Sequence, residues 1–315
     1  MMTTGSYMGF GYAKALIFGE YAVLHGAPGL VAALSPRLYL SLDHLQWLST
    51  RLSETMMERY EDFGKQLQAF LKHFLHTDAK VSLNMAEFFD TQGQKIGIGS
   101  SAAAIVALVD AWRQSQNIDF DVHLAIQMHR ALQHGMGSGI DIIASALGGI
   151  QLVSHCPDAP QITHIPAEHL PCMAILASHI EAPTKQFVAA TQAVSHQKDY
   201  QHVISEMTEI SQILGQYAQT GKKRDFLEQI TVYPALLQKL AGIIDMPVIP
   251  QVYNALRPIA QECGVVLKTS GAGGGDIFLA LAENPQNIEA FVTQIPQSSG
   301  VTRLDVQIAS PRWNK

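Results

Sequence analysis

Two hydrophobic periodicities divide the chain. Residues 7–18 are short, apolar and punctuated by Gly9 and Gly11, which predicts a strand and turn, and 29–42 predicts a second strand, with Leu38, Leu40 and Leu42 at period two. A helix is expected over 54–76, then a strand over 80–85, where Val81, Leu83 and Met85 alternate. The densest apolar run follows. Residues 96–99 lead through Ser100 and Ser101 into 102–112, a helix so apolar that it must be buried on most sides. Val122, Ala125, Ile126 and Leu132 repeat at helical spacing behind a cap at Asp119 or Asp121, and that helix is expected to stop at Gly135. The glycine-rich turn 135–139 then opens the segment 140–147.

Pro157, Pro160, Pro166 and Pro171 cluster in a short stretch, which places a boundary between domains 1–165 and 166–315. Beyond it the pattern predicts helices over 184–195, 200–219, 225–243 and 251–263. Strands at 265–267, 277–282 and 301–308 and a helix from Pro285 complete an α+β pattern.

Composition narrows the class. The 315 residues are 47% hydrophobic and 15% charged, too apolar for disorder, and the formal net charge of −6 offers no basic stripe for a nucleic-acid backbone. The one dense basic run, Lys222, Lys223 and Arg224, reads as a solvated loop. Cys156, Cys172 and Cys263 lie far apart with no CxxC pair, so neither a disulfide framework nor a zinc knuckle is indicated. No charged segment of a secretory signal precedes Lys14, and the uncharged stretches are too short to span a bilayer. A cytoplasmic protein with no nucleic-acid or membrane partner is expected; a homodimer stays open.

Four elements carry candidate chemistry. Gly97, Gly99, Ser100, Ser101, Ala102 and Ala103 form a Gly-Ser loop at a helix start, where unpaired N–H groups favour a phosphate. Ser100 and Ser101 could donate to that phosphate or ligate Mg²⁺; one serine would suffice for a plain helix cap. The Walker pattern is absent. Gly97, Gly99 and Ala102 fit a dinucleotide fingerprint with Asp119 and Asp121 about twenty residues on, but the polar 91–95 does not supply the buried strand that fold needs. In the second element, Ser138 and Asp141 flank Gly139 and Ile140, and read either as a capping box or as a carboxylate at the mouth of a glycine-lined pocket. His129 and His134 precede it and read as core or cap histidines.

The third element runs Lys268-Thr269-Ser270-Gly271-Ala272-Gly273-Gly274-Gly275-Asp276. Four glycines in five residues exceed what a hairpin requires and suggest backbone pressed against a ligand, with Lys268 either at a phosphate or facing solvent. The fourth is Lys14 in 13–26, where Glu20 could cap the next helix.

Together these motifs resemble the GHMP kinase superfamily, across residues 14–276. Lys14 to Gly26 is similar to its first motif, with Ala13 in place of a glycine; Gly97 to Ala103 to its second, with Ile98 for leucine; and Lys268 to Asp276 to its third. Gly-Ser-Gly-Ile-Asp at 137–141 and Gly-Gly-Gly-Asp at 273–276 look most like phosphomevalonate kinases, while chain length and His25-Gly26 look like mevalonate kinases. The resemblance implies an N-terminal domain like ribosomal protein S5 domain 2, a ferredoxin-like C-terminal domain, ATP with Mg²⁺, and a small-molecule phosphate acceptor. It implies Lys14 and Asp141 as catalytic residues and Ser101 as a metal ligand. It gives Glu20, Ser138, Gly139, Lys268, Gly271, Ala272, Gly273 and Gly274 to the substrate. The Glu that helps hold Mg²⁺ in mevalonate kinases would fall near Arg130, so that ligand is missing or moved. A non-catalytic relative would be expected to lose Lys14 or Asp141; both are present.

Overall fold

A computed structural model describes residues 7–42, 54–76, 79–133, 135, 137–154, 160–182 and 184–312. In the first half, strands β1 (Tyr7–Phe18), β2 (Gly29–Leu42), β3 (Val81–Asn84), β4 (Ile150–Ser154) and β5 (Gln161–Ile165) form an antiparallel sheet. β1 lies on one edge of β2, and β4 and β3 share its other edge. The β1–β2 register skips Ser35 and Pro36, because Tyr12 pairs with Arg37 and Ala13 with Leu34. Proline has no N–H for the ladder, so a bulge there lets a long strand contain one.

Helices α1 (Glu54–Leu75), α2 (Ser100–Gln116), α3 (Val122–Leu132) and α4 (Ile140–Leu147) belong to this half. As the apolar run implies, Ala102 to Ala111 of α2 are buried throughout. Alanines on α2 and glycines on β1 let the two backbones nearly touch: a Cβ on Gly9 would lie 2.1 Å from the Ala107 carbonyl oxygen, and one on Gly11 would lie 2.2 Å from that of Ala103. Asp121, not Asp119, caps α3, its carboxylate accepting from the Leu124 N–H at 3.0 Å.

The second half has a four-stranded antiparallel sheet in the order β7–β8–β6–β9, from β6 (Cys172–Ala177), β7 (Val266–Thr269), β8 (Ile277–Ala282) and β9 (Thr302–Arg303). Its helices are α5 (Thr184–Val194), α6 (Lys198–Thr220), α7 (Lys223–Ile230), α8 (Tyr233–Ile244), α9 (Gln251–Glu262) and α10 (Pro285–Gln294). The helix expected over 225–243 is two, because Pro234 sits in the first turn of α8 and cannot continue a preceding hydrogen-bond ladder. Strands β4, β5 and β6 are not expected from the pattern; β4 and β6 are short and flank the proline cluster, and β5 lies within it between Pro160 and Pro166 with a mostly polar sequence.

The strand expected over 301–308 is only β9. From Gln307 the tail crosses to the first sheet, where Ser35 N–H donates to the Gln307 carbonyl at 2.8 Å and Ala309 N–H to the Ala33 carbonyl at 2.9 Å. Arg312 then pairs with the buried Asp110 of α2 and stacks 3.7 Å over the Phe10 ring. The end of the chain therefore packs on the half to which 1–165 was assigned. One continuous hydrophobic core joins both sheets. Among the described residues, no helix is long and apolar enough to cross a membrane.

Candidate active site

The site is built around Lys14, in the middle of β1. Its backbone N–H donates to the Ile98 carbonyl at 2.9 Å, so the loop before α2 runs alongside the strand. The side chain then lies across Gly99, where an added Cβ would sit 2.8 Å from Lys14 Cγ and 2.9 Å from Cε. The ammonium ends 3.3 Å from Asp141 Oδ1 and 4.0 Å from where a Cβ on Gly271 would be. Three glycine-rich turns, far apart in sequence, meet on one cation.

Two helices begin at this point. Gly99 (φ 86°) precedes α2 and Gly139 (φ 82°) precedes α4, and neither glycine has a side chain to cap its helix. These left-handed positions suit glycine. The first N–H groups of α2 and the positive ends of both helix dipoles favour an anion here. The capping box considered for Ser138 and Asp141 does not form: Ser138 Oγ accepts from the Ile140 N–H at 3.4 Å, while Asp141 turns to Lys14. Ser100 is buried at the head of α2, followed by Ala102 and Ala103, and Ser101 Oγ lies 3.2 Å from His129 Nε2.

Lys268 and Glu20 are placed differently from expectation. Both are fully buried and ion-paired with each other, and Lys268 Nζ also donates to the Thr269 carbonyl at 2.7 Å and sits 5.2 Å from the Tyr233 ring centroid. Burial pushes the Glu20 carboxyl up and the Lys268 ammonium down, and their mutual attraction opposes both shifts. Glu20 is not a helix cap, and Lys268 faces neither solvent nor an open phosphate site. The pair joins the loop after β1 to the end of β7; beside it Ser270 Oγ donates to the Leu16 carbonyl of β1 at 2.9 Å, and the Gly19 N–H donates to Tyr233 Oη of α8 at 2.9 Å.

The glycines of the third motif have separate tasks. Gly271 faces Lys14, but a Cβ on Gly273 would lie 2.3 Å from the Val248 carbonyl oxygen and one on Gly275 would lie 2.2 Å from that of Ile180. Gly274 N–H donates to the same Val248 carbonyl at 2.7 Å, and the Ala272 carbonyl accepts from Tyr21 Oη. Most of the close approach inferred from this run is therefore to the protein's own backbone. Gly97 makes room for Asp276, whose carboxyl burial holds above its ordinary range, opposed by the Ala182 N–H, Lys95 and Lys14.

His129 is expected to be a core or cap histidine. It is buried, yet its imidazole borders the site through Ser101, and burial lowers its pKa while Asp141 raises and Lys14 lowers it. Helical spacing could not show that α3 brings it to the head of α2. His134 lies outside the described residues. Among those described, no group of three or more His, Cys, Asp or Glu is placed to hold a metal by itself.

Residues 65–149 match the family model of the GHMP kinases N terminal domain. That segment resembles a GHMP kinase N-terminal domain, and the whole chain shares the fold of solved GHMP kinases. The mevalonate kinase of Pyrococcus furiosus is 25% identical over 334 aligned positions, spanning 94% of this chain and 96% of that protein. The phosphomevalonate kinase of Saccharolobus solfataricus is 24% identical over 312 positions, spanning 91% and 96%. A solved Streptococcus pneumoniae phosphomevalonate kinase, in complex with phosphomevalonate and AMPPNP, superposes with a TM-score of 0.72 at 18% identity over 96% of this chain and 99% of that one. The first sheet is antiparallel and no strand runs directly into the loop before α2, so the strand–turn–helix unit of a dinucleotide fingerprint is not formed there.

Proposed function

We propose that this chain is an ATP-dependent kinase of the mevalonate pathway that transfers the γ-phosphoryl group to 5-phosphomevalonate, giving 5-diphosphomevalonate. The observation that carries it is the convergence on Lys14 of the α2 and α4 N-termini, Asp141 and Gly271. Phosphoryl transfer passes through a loose transition state, so alignment and charge neutralisation provide most of the catalysis. Lys14 would bridge the reacting phosphates, while the first N–H groups of α2 and the Ser101 side hold the nucleotide. Asp141 would orient Lys14 or the acceptor.

The acceptor follows from what Asp141 must do. A phosphate monoester, with a second pKa of about 6, is largely dianionic at neutral pH and needs no strong base. Asp141 is engaged by Lys14 at 3.3 Å, a geometry that suits an orienting carboxylate. Mg²⁺ would be held by the hard oxygen donors Ser101, at the head of α2, and Asp141, beside Lys14, and would neutralise phosphate charge there. A second reading, mevalonate as the acceptor with Asp141 as base, is favoured by the name of the Pyrococcus relative.

A coupled ADP-release assay against phosphomevalonate, mevalonate, homoserine and galactose tests the proposal. Turnover with phosphomevalonate is expected. Turnover with mevalonate alone would replace the acceptor, and no turnover with any would return the chain to a binding role.

A further inference from the structure

One residue of the C-terminal tail ties together the far parts of the three elements that carry the site. Arg312 Nη1 donates to the Phe10 carbonyl of β1 at 2.8 Å, Nη2 pairs with the Asp110 carboxylate of α2, and the Arg312 backbone N–H donates to the Leu147 carbonyl at the end of α4 at 2.6 Å. Asp110 in turn accepts from the Phe10 N–H at 3.1 Å and from Arg113 Nε at 2.8 Å. The tail presses closely here, since a Cβ on Gly148, just after α4, would lie 2.2 Å from the Ser310 carbonyl oxygen. Lys14, Ser101 and Asp141 stand on the same β1, α2 and α4. Along those elements Phe10 is about 13 Å from Lys14, Asp110 about 15 Å from Ser100 and Leu147 about 9 Å from Asp141, so the arginine lies behind the site rather than in it.

We propose that Arg312 is a positioning residue for phosphoryl transfer, fixing from behind the relative placement of Lys14, the α2 N-terminus and Asp141. Its side chain is 12% exposed and stacks 3.7 Å over the Phe10 ring, so the planar fork is held in one orientation. The lever is long. A tilt of about 4° in α2 about Asp110 would move the start of the helix by about 1 Å, a displacement that can cost about 10²-fold in rate. Phosphoryl transfer is exposed to such a loss because its catalysis is mostly the alignment of groups carried on separate elements. Asp110 keeps Arg113 as a partner when Arg312 is removed, so the change loosens the arrangement without stranding a buried charge. The inference rests on the kinase reading above and adds to it a residue outside all four sequence motifs.

The test is steady-state kinetics of the whole protein with ATP, Mg²⁺ and whichever of phosphomevalonate and mevalonate the wild type turns over, at a temperature well below each variant's own melting transition. Arg312→Ala should lower kcat about tenfold while the KM for ATP and for the acceptor stays within about twofold. A residue that only stabilised the fold would lower the melting temperature and leave the kcat of the folded protein intact. Arg312→Lys can pair with Asp110 but lacks the fork that also reaches Phe10, so it should recover part of kcat, and it keeps the test open if the alanine variant does not fold. Combined with Asp110→Asn, the Arg312→Ala loss in kcat should be less than the product of the two single losses, because the residues act through one contact. An unchanged kcat in the folded alanine variant, or in the lysine variant where alanine does not fold, would overturn the assignment while the kinase reading stands. A loss confined to KM, or fully multiplicative losses in the double variant, would do the same. Wild type with no turnover on either acceptor would overturn both.

Discussion

Two lysine–carboxylate pairs, built from the same strand-and-turn segment, lie on opposite sides of one physical divide. Lys14 and Asp141 are 3.3 Å apart with side chains 13% and 32% exposed; Lys268 and Glu20 are both 0% exposed. At the first, solvent can be displaced by an anion, and glycine turns and helix N-termini leave donors pointing into the space. At the second, the ammonium is already surrounded by a carboxylate, a carbonyl and an aromatic face, and Glu20 Oε2 is buried without a hydrogen-bond partner. Burial makes that pair costly to break but gives it nothing to offer a ligand. A lysine beside a glycine run is thus no guide to its task until its exposure is known.

The sharpest way to break the comparison is to remove each cation in turn. Lys14→Met should lower kcat by about 10³-fold or more, the scale of a lost charge on a transferring phosphoryl group, with the melting temperature nearly unchanged. A near-normal kcat would remove Lys14 from the reaction. Lys268→Met should do the reverse. It strands the Glu20 charge and should cost about 3 kcal/mol of stability in a denaturant titration, and the double variant with Glu20→Gln should recover most of it. A Lys268→Met protein that stays stable but loses phosphoryl transfer would put Lys268 back at the phosphates.

Why the two pairs look alike in sequence is instructive. Local patterning carried the long elements: β1, β2, α2 and α4 lie where apolar period and glycine punctuation place them, and the loop before α2 holds Lys14 as its motif suggests. Contacts across long separations were not legible. Nothing around residue 268 shows that β7 brings its lysine against Glu20, nor that Gly273 must clear the Val248 carbonyl. His129 escaped for the same reason. Its place depends on α3 lying beside α2, a packing relation that helical periodicity within α3 does not encode.

A smaller effect separates orientation from proton transfer at the exposed pair. Asp141→Asn should reduce kcat about tenfold with phosphomevalonate, because only the alignment of Lys14 or the acceptor is disturbed. An alcohol acceptor would require a base, and its loss would cost about 10²-fold or more. Single-turnover rates with each acceptor measure the difference, and a loss of the larger size with phosphomevalonate would return Asp141 to general-base chemistry.

The smallest effect tests a third carboxylate, between the two extremes. Asp276 packs against Gly97 and accepts from the Ala182 N–H at 3.3 Å, and burial raises its pKa against the pull of that N–H, Lys95 and Lys14. A raised folded pKa means that the native state holds the proton more tightly than the unfolded chain. The stabilisation is complete below the ordinary carboxylate pKa of about 3.9 and is lost as pH rises through the raised folded value. Asp276 has φ 54°, which asparagine tolerates, so Asp276→Asn removes the charge with little backbone strain. Melting curves of the two proteins should nearly coincide at about pH 4 and separate towards about pH 7, with the asparagine variant the more stable. A wild type that gains on the variant as pH rises would mean that Lys14 and Lys95 hold this carboxylate as a charged partner. Asp276 would then belong with the exposed pair rather than with the buried one.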